Sequence, residues 1–261
     1  MIELAIIAGV FGLLAGSFLN VCIGRLPEDL SIAVPRSYCP RCGNPIAAWD
    51  NIPVFSYILL LGRCRSCRIR ISPRYPLIEL LTGICFFFAV WISGWTWTGF
   101  KLCLFSALLI GLTSIDVEQR ILPDEFTKTG TVLGWILSPI VILPAALISF
   151  VAPTLSPAAW SFLDSLAGSI LVPGGLWFIG WAYQRIRHRE GLGFGDVKLL
   201  MMTGAFLGLE GNVLVLVVGS VVGLVAGLSW ILLKRKDPST YELPFGLFLG
   251  AAALVIAFFS A

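Results

Sequence analysis

Two aspartates stand where apolar runs meet polar sequence. Asp116 ends the run Leu102–Ile115, and Asp196 lies in Gly193-Phe194-Gly195-Asp196-Val197-Lys198, where another run begins. Two carboxylates that share a site cannot easily both ionise, so such a pair holds one proton. The ionised member can take a proton from water while the protonated one polarises a peptide carbonyl. Gly193 and Gly195 would let a backbone approach Asp196 closely. The same positions also suit two interfacial helix-end charges, paired with Lys198 and Arg120. Asp124, after Pro123, is the runner-up for the first acid, although with Glu125 it also suits the acidic start of a helix. Glu79 opens a further apolar run and either pairs with Arg74 or is functional. Glu242 is a similar, weaker case.

A second constellation is made of sulfur. Cys39-Pro40-Arg41-Cys42 and Cys64-Arg65-Ser66-Cys67 are two C-x2-C pairs separated by 21 residues. Each pair forms a tight turn that aims two thiolates at one point, and two pairs complete a tetrahedral zinc shell with no open position. Such a shell is structural. About 50 residues bury too little apolar surface to fold well alone, which gives a metal staple a purpose. The alternative is four free thiols. Cys22, Cys85 and Cys103 lie in apolar runs and suit small core positions.

The elements that must carry these residues are apolar. Of 261 residues 57% are hydrophobic and only 13% charged, and the mean hydropathy is +0.91. A water-soluble core cannot hide that much apolar surface. Eight apolar stretches run near Ile2–Cys22, Leu77–Ile92, Phe100–Ile115, Thr129–Val151, Phe162–Trp181, Val197–Leu209, Val213–Leu233 and Leu243–Phe259. A spanning helix needs roughly 20 residues, so the sixth must begin near Gly193. The expected fold is therefore an all-α polytopic membrane protein of about eight transmembrane helices, with a small cytoplasmic zinc-binding domain inserted after the first. The domain limits are 1–24, 25–76 and 77–261. The first stretch reads as a retained helix, because it lacks a basic leader region.

Orientation follows from the basic residues. Eight arginines lie from Arg25 to Arg74, and further basic residues follow the third, fifth and seventh stretches; of 18 in all, only Lys101 falls near the other side. With eight spans this puts both termini outside the cytoplasm. It also puts Asp116 and Asp196 at one depth near the cytoplasmic boundary. The loop Ala152–Ser161 then lies outside, against the membrane surface. The net charge of +3 gives no cause to expect a nucleic-acid partner. His188 is the only histidine and no H-E-x-x-H occurs, which excludes a zinc metalloprotease of that type.

Together these residues resemble one family. Gly12-Leu13-Leu14-Ala15-Gly16-Ser17-Phe18-Leu19-Asn20-Val21 through Arg25-Leu26-Pro27 is similar to the opening of the type IV prepilin peptidases. The two cysteine pairs, Asp50-Asn51-Ile52-Pro53 and Ile71-Ser72-Pro73-Arg74-Tyr75-Pro76 resemble their cytoplasmic domain. Ile115-Asp116 with Leu122-Pro123-Asp124, and Gly193 to Lys198, resemble their two aspartate motifs. The resemblance implies a bacterial inner-membrane aspartyl protease of the G-x-G-D class, which cuts the basic leader of prepilins and pseudopilins at the cytoplasmic face. Many members also methylate the new N-terminus with S-adenosylmethionine. It further implies Asp116 and Asp196 as the catalytic pair, preferring Asp116 over Asp124, and zinc on Cys39, Cys42, Cys64 and Cys67.

Two departures stand out. The segment between the aspartates is long, with extra residues around Val151–Leu163. The family's common Pro-Phe-Gly-Pro reads Pro244-Phe245-Gly246-Leu247 here, a change expected to lie clear of the chemistry. Two other classes fit the residues less well: an ion-coupled transporter using the same aspartates, and a zinc-bearing assembly scaffold without catalysis. No internal repeat is evident.

Overall fold

The computed structural model describes residues 1–143, 154–188, 193–234 and 244–260. Glu242, Arg189, Arg235, Lys236 and the start of the 152–161 loop lie outside the described residues. Eight α-helices are named here: α1 (Ile2–Arg25), α2 (Phe55–Leu59), α3 (Arg74–Ser93), α4 (Trp97–Gln119), α5 (Asp124–Leu137), α6 (Pro157–Arg187), α7 (Phe194–Lys234) and α8 (Phe245–Phe259). No strand occurs among the described residues, only two isolated bridges. Five helices (α1, α3, α4, α6 and α7) are long and apolar enough to cross a membrane. The chain is a multi-pass membrane protein, and its exposed leucines, valines and phenylalanines face a solvent that must be lipid.

The sixth and seventh apolar stretches both fall in α7, which is two helical segments joined across a kink. It has 41 residues, which at 1.5 Å per residue is about 60 Å, roughly twice a bilayer's hydrocarbon core. It therefore cannot run straight through a membrane. The break falls at Gly208, whose φ of 74° and ψ of −171° are non-helical and open mainly to glycine. The apolar pattern places the gap a few residues later, between Leu209 and Val213; one residue of that gap is Asn212. Asn212 is instead fully buried; its side chain donates to the carbonyls of Gly168 and Leu200 and accepts from Thr203.

The chain divides into two compact units, Met1–Gly111 and Leu112–Ala261. In the first, α1 packs on α3 along a glycine seam. A Cβ at Gly12 would lie 2.8 Å from Gly83 Cα, and one at Gly16 would lie 2.6 Å from Glu79 Cα. Small residues at such spacing let two membrane helices approach closely. In the second unit, α7 packs against α5, α6 and α8. Gly168 and Gly204 bring α6 and α7 together; a Cβ at Gly204 would lie 2.4 Å from the Gly168 carbonyl.

That contact separates two superficially similar substitutions. Gly204→Ala must push backbone from backbone and should cost about 1–3 kcal/mol, lowering the melting temperature in detergent. Gly174→Ala, where nothing lies within 4 Å of the new carbon, should leave the melt unchanged. Equal melts for the two variants would refute the packing described.

Candidate active site

Asp116 sits in the last turn of α4 and is buried, and Asp196 sits in the first turn of α7 and is half-buried. The residues are 80 positions apart in sequence, yet the Asp116 carboxylate lies within electrostatic reach of Asp196. Their surroundings differ. Asp116 Oδ2 accepts the backbone N–H of Leu247 at 3.1 Å, at the amino end of α8, where free N–H groups and the helix dipole favour an anion. Among the described residues no hydrogen-bond donor reaches the Asp196 carboxylate.

Glycine supplies room at three points. A Cβ at Gly246 would lie 2.8 Å from Asp116 Oδ2, and one at Gly193 would lie 3.2 Å from Asp196 Oδ2. Gly195 packs against Leu122, 3.0 Å from its Cδ1 on the same construction. Neither Gly193 nor Gly195 needs a left-handed backbone, so the G-x-G pattern serves space rather than an unusual turn.

The two lysines nearest in sequence are occupied elsewhere. Asp124, the runner-up acid, forms ion pairs with Lys198 and with Lys128, the latter at 2.6 Å. Lys128 first and Lys198 second hold its carboxyl below the usual carboxylate range. Lys198 also lies over the Phe194 ring, 5.1 Å from its centre. Lys198 is thus the partner of Asp124, and this pair ties the start of α5 to the start of α7.

Two features of this unit were not anticipated. The Pro244–Leu247 departure does touch Asp116, because the contact uses a backbone N–H and no side-chain pattern marks it. Asp164, on α6, is also buried; its Oδ2 accepts the N–H of Leu209, at 3.2 Å, just past the Gly208 break. Its signal was an acid at the edge of an apolar stretch.

The cysteine site lies wholly in the first unit. The four Sγ atoms of Cys39, Cys42, Cys64 and Cys67 lie within 4.8 Å of one another. Four thiolates about 2.3 Å from one zinc ion would be roughly 3.8 Å apart, and Cys39 and Cys67 are 3.8 Å apart. The donor set and spacing fit a zinc ion. The two knuckles share one backbone pattern. Cys39 N–H donates to Asn44 and Gly43 N–H to Cys39; Cys64 N–H donates to Ile69 and Arg68 N–H to Cys64. Gly43 and Arg68, at equivalent places, are both left-handed. This short structural repeat escapes the sequence because only the cysteines recur. The N–H of Cys42, then that of Arg41, pulls the Cys39 thiol below the usual thiol range.

Glu79, also in the first unit, is 8% exposed. Its Oε2 accepts the N–H of Val54 at 2.7 Å, and the Ser17 side chain lies near it. It is not paired with Arg74, whose guanidinium lies over Tyr75.

Comparison with known proteins agrees with this architecture. Residues 10–93 match the bacterial peptidase A24 N-terminal domain, and residues 103–228 match the type IV leader peptidase family. A prepilin leader peptidase/N-methyltransferase of Pseudomonas aeruginosa is 32% identical over 269 residues, covering 94% of this chain and 87% of that protein. Its counterpart in Aeromonas salmonicida is 34% identical, covering 94% and 87%, and that of Neisseria gonorrhoeae is 37% identical, covering 85% and 80%. No solved structure matches. The chain belongs to the type IV leader peptidase family, a family of proteases.

Proposed function

We propose that this protein is an aspartyl leader peptidase of the bacterial inner membrane, which removes the leader of prepilins and pseudopilins at the cytoplasmic face and methylates the new N-terminus. The observation that carries this reading is the approach of Asp116 and Asp196, two carboxylates that chain order separates widely. Relatives named for both activities, at 32–37% identity over most of the chain, support it. The positive-inside pattern supports the orientation. The substrates would serve pilus or type II secretion systems. S-adenosylmethionine is the methyl donor that the second activity calls for. The domain limits 1–24, 25–76 and 77–261 form part of this proposal.

In the proposed mechanism Asp116, stabilised by the Leu247 N–H, is the carboxylate, and Asp196 carries the shared proton. Asp116 removes a proton from a water molecule, whose oxygen attacks the scissile carbonyl carbon. Asp196 gives its proton to the carbonyl oxygen, forming a gem-diol. The C–N bond then breaks, with a proton passing from Asp116 to the leaving amine while one gem-diol hydroxyl returns its proton to Asp196, which restores the starting pair. Gly193 and Gly246 leave room beside the carboxylates for the extended substrate backbone.

Co-expression with a prepilin, followed by mass spectrometry of the mature N-terminus, tests this. Asp116→Asn and Asp196→Asn should each lower cleavage by about 10²–10⁴-fold in protein that remains folded. An intact leader with the wild type refutes the function; cleavage surviving both substitutions refutes the mechanism.

Leu247→Pro probes the role of the N–H alone. Proline is tolerated in the first turn of a helix but has no N–H to donate. A hydrogen bond to a charged group is worth about 1.5 kcal/mol or more, so turnover should fall roughly ten-fold. Turnover equal to wild type would show that this bond does not hold the base.

Zinc is the metal proposed for the four thiolates. Elemental analysis should find one zinc ion per chain, and Cys64→Ser should lose it. A chain that purifies with four freely titrating thiols and no metal would sink that assignment.

A further inference from the structure

The first unit contains a second polar site, apart from the two aspartates. Glu79 is 8% exposed, and among the described residues no lysine or arginine pairs with it. Its carboxylate accepts the Val54 N–H, and the Ser17 side chain lies near it. One helical turn away on the facing helix is Asn20, 5% exposed. The Asn20 amide nitrogen donates to Gly16 and Tyr75, at 3.2 and 3.0 Å, which fixes the side chain. Its oxygen, Oδ1, is buried with no partner. Asn20 thus meets α3 at Tyr75, four residues before Glu79, just as Gly16, four residues before Asn20, meets Glu79 itself, so a carboxylate without a counter-charge and an amide oxygen without a donor stand on successive turns of one helix seam. Each is costly to leave unpaired.

The loop that closes on Glu79 is held in a costly shape. Val54, a β-branched residue, has φ 60° and ψ −48°, outside the regions such residues favour, and a conformation of this kind costs about 1–3 kcal/mol. Three contacts maintain it. Ser56 Oγ donates to the Trp49 carbonyl and accepts the Ile52 N–H, at 2.8 and 3.1 Å. Arg65, in the second cysteine knuckle, grips Asp50 with two bonds of 2.6 and 2.8 Å. The strain is thus sustained from outside the loop, and its result is one amide aimed at Glu79.

We infer that Glu79, Asn20 and Ser17 form a binding site for a cationic nitrogen, the α-ammonium group that leader removal exposes on the mature chain. The inference rests on the leader-peptidase reading. That reaction turns an amide nitrogen into a primary amine, and an α-amine of pKa about 7.7–8.0 is mostly protonated at neutral pH. The ammonium brings three donors and one positive charge to acceptors that lack both. An uncharged amide offers neither the charge nor the third donor.

The test is equilibrium binding of the full-length enzyme to three synthetic peptides that carry no leader and no scissile bond. One begins with a free α-amine and has no lysine, the second is its N-acetylated twin, and the third is N-acetylated with one internal lysine. Wild type should bind the free-amine peptide at least ten-fold more tightly than the other two. Glu79→Gln, which keeps the side-chain volume, should bind all three alike; Glu79→Asp should recover part of the preference, and Asn20→Leu should weaken it about three-fold. Unchanged melting temperatures exclude misfolding as the cause. The site is overturned if wild type shows no preference or if Glu79→Gln retains it. Equal binding of the lysine and free-amine peptides would assign the site to a side-chain ammonium and overturn the α-amine assignment. Because nothing in these peptides can be cut, failure here leaves the cleavage reading standing, and a wild type that leaves prepilins intact is detected separately.

Discussion

The constraint on which the second unit depends is that carboxylates have been placed among apolar helices, where water cannot solvate them. A buried carboxylate must be met by donors, by a counter-charge or by a proton. Asp116 is met by a backbone amide at the start of α8, so the end of α4 and the start of α8 must be neighbours. Among the described residues Asp196 has no such donor, but it lies within electrostatic reach of Asp116. Asp124, by contrast, is met by a counter-charge, in its ion pair with Lys198. That pair also joins the α5 and α7 starts in a contact that neither helix could make with lipid.

The same requirement shapes the far half of α7. A helix of this length must turn, and turning exposes amides that lipid cannot satisfy. Asp164 accepts the first of them, from Leu209, just past the Gly208 break. A side chain at residue 208 would meet that carboxylate head-on, with a Cβ only 2.0 Å from Oδ2. Asn212 and Thr203 then bridge the two halves. These groups set the position of the half-helix that carries Asp196, although none of them is near the proposed chemistry.

Much of this was legible in the sequence, for identifiable reasons. Apolar stretches declare membrane helices because lipid demands them over nearly their whole length, and the C-x2-C pairs declare a metal knuckle because thiolate geometry demands that spacing. Acids at the ends of apolar runs are rare enough to stand out. What escaped was carried by the backbone or by partner choice. The Leu247 amide leaves no trace in residue type beyond the absence of proline, since every other residue carries a backbone N–H. The break at Gly208 hid inside an apolar stretch that runs on to Leu209, and the polar residues after it include Asn212, which is a buried bridge. Glu79 stood out as an acid, but its partner was a loop amide over 20 residues upstream rather than the adjacent Arg74.

The cysteine site raises the question of what a closed metal shell can do. Four thiolates leave no open position for a substrate or a water molecule, so any influence must pass through contacts. One such path lies within the first unit. The second knuckle presents Arg65; Arg65 grips Asp50 and holds its carboxyl below the usual range; Asp50 begins the loop that ends at Val54; and the Val54 amide meets Glu79 on α3. Each link is short and the Val54 conformation is strained, so the loop keeps this shape only while both ends are held. The knuckle supplies one of those ends. A metal ion bound there would hold the knuckle that carries Arg65, and with it one end of the loop whose Val54 amide faces Glu79.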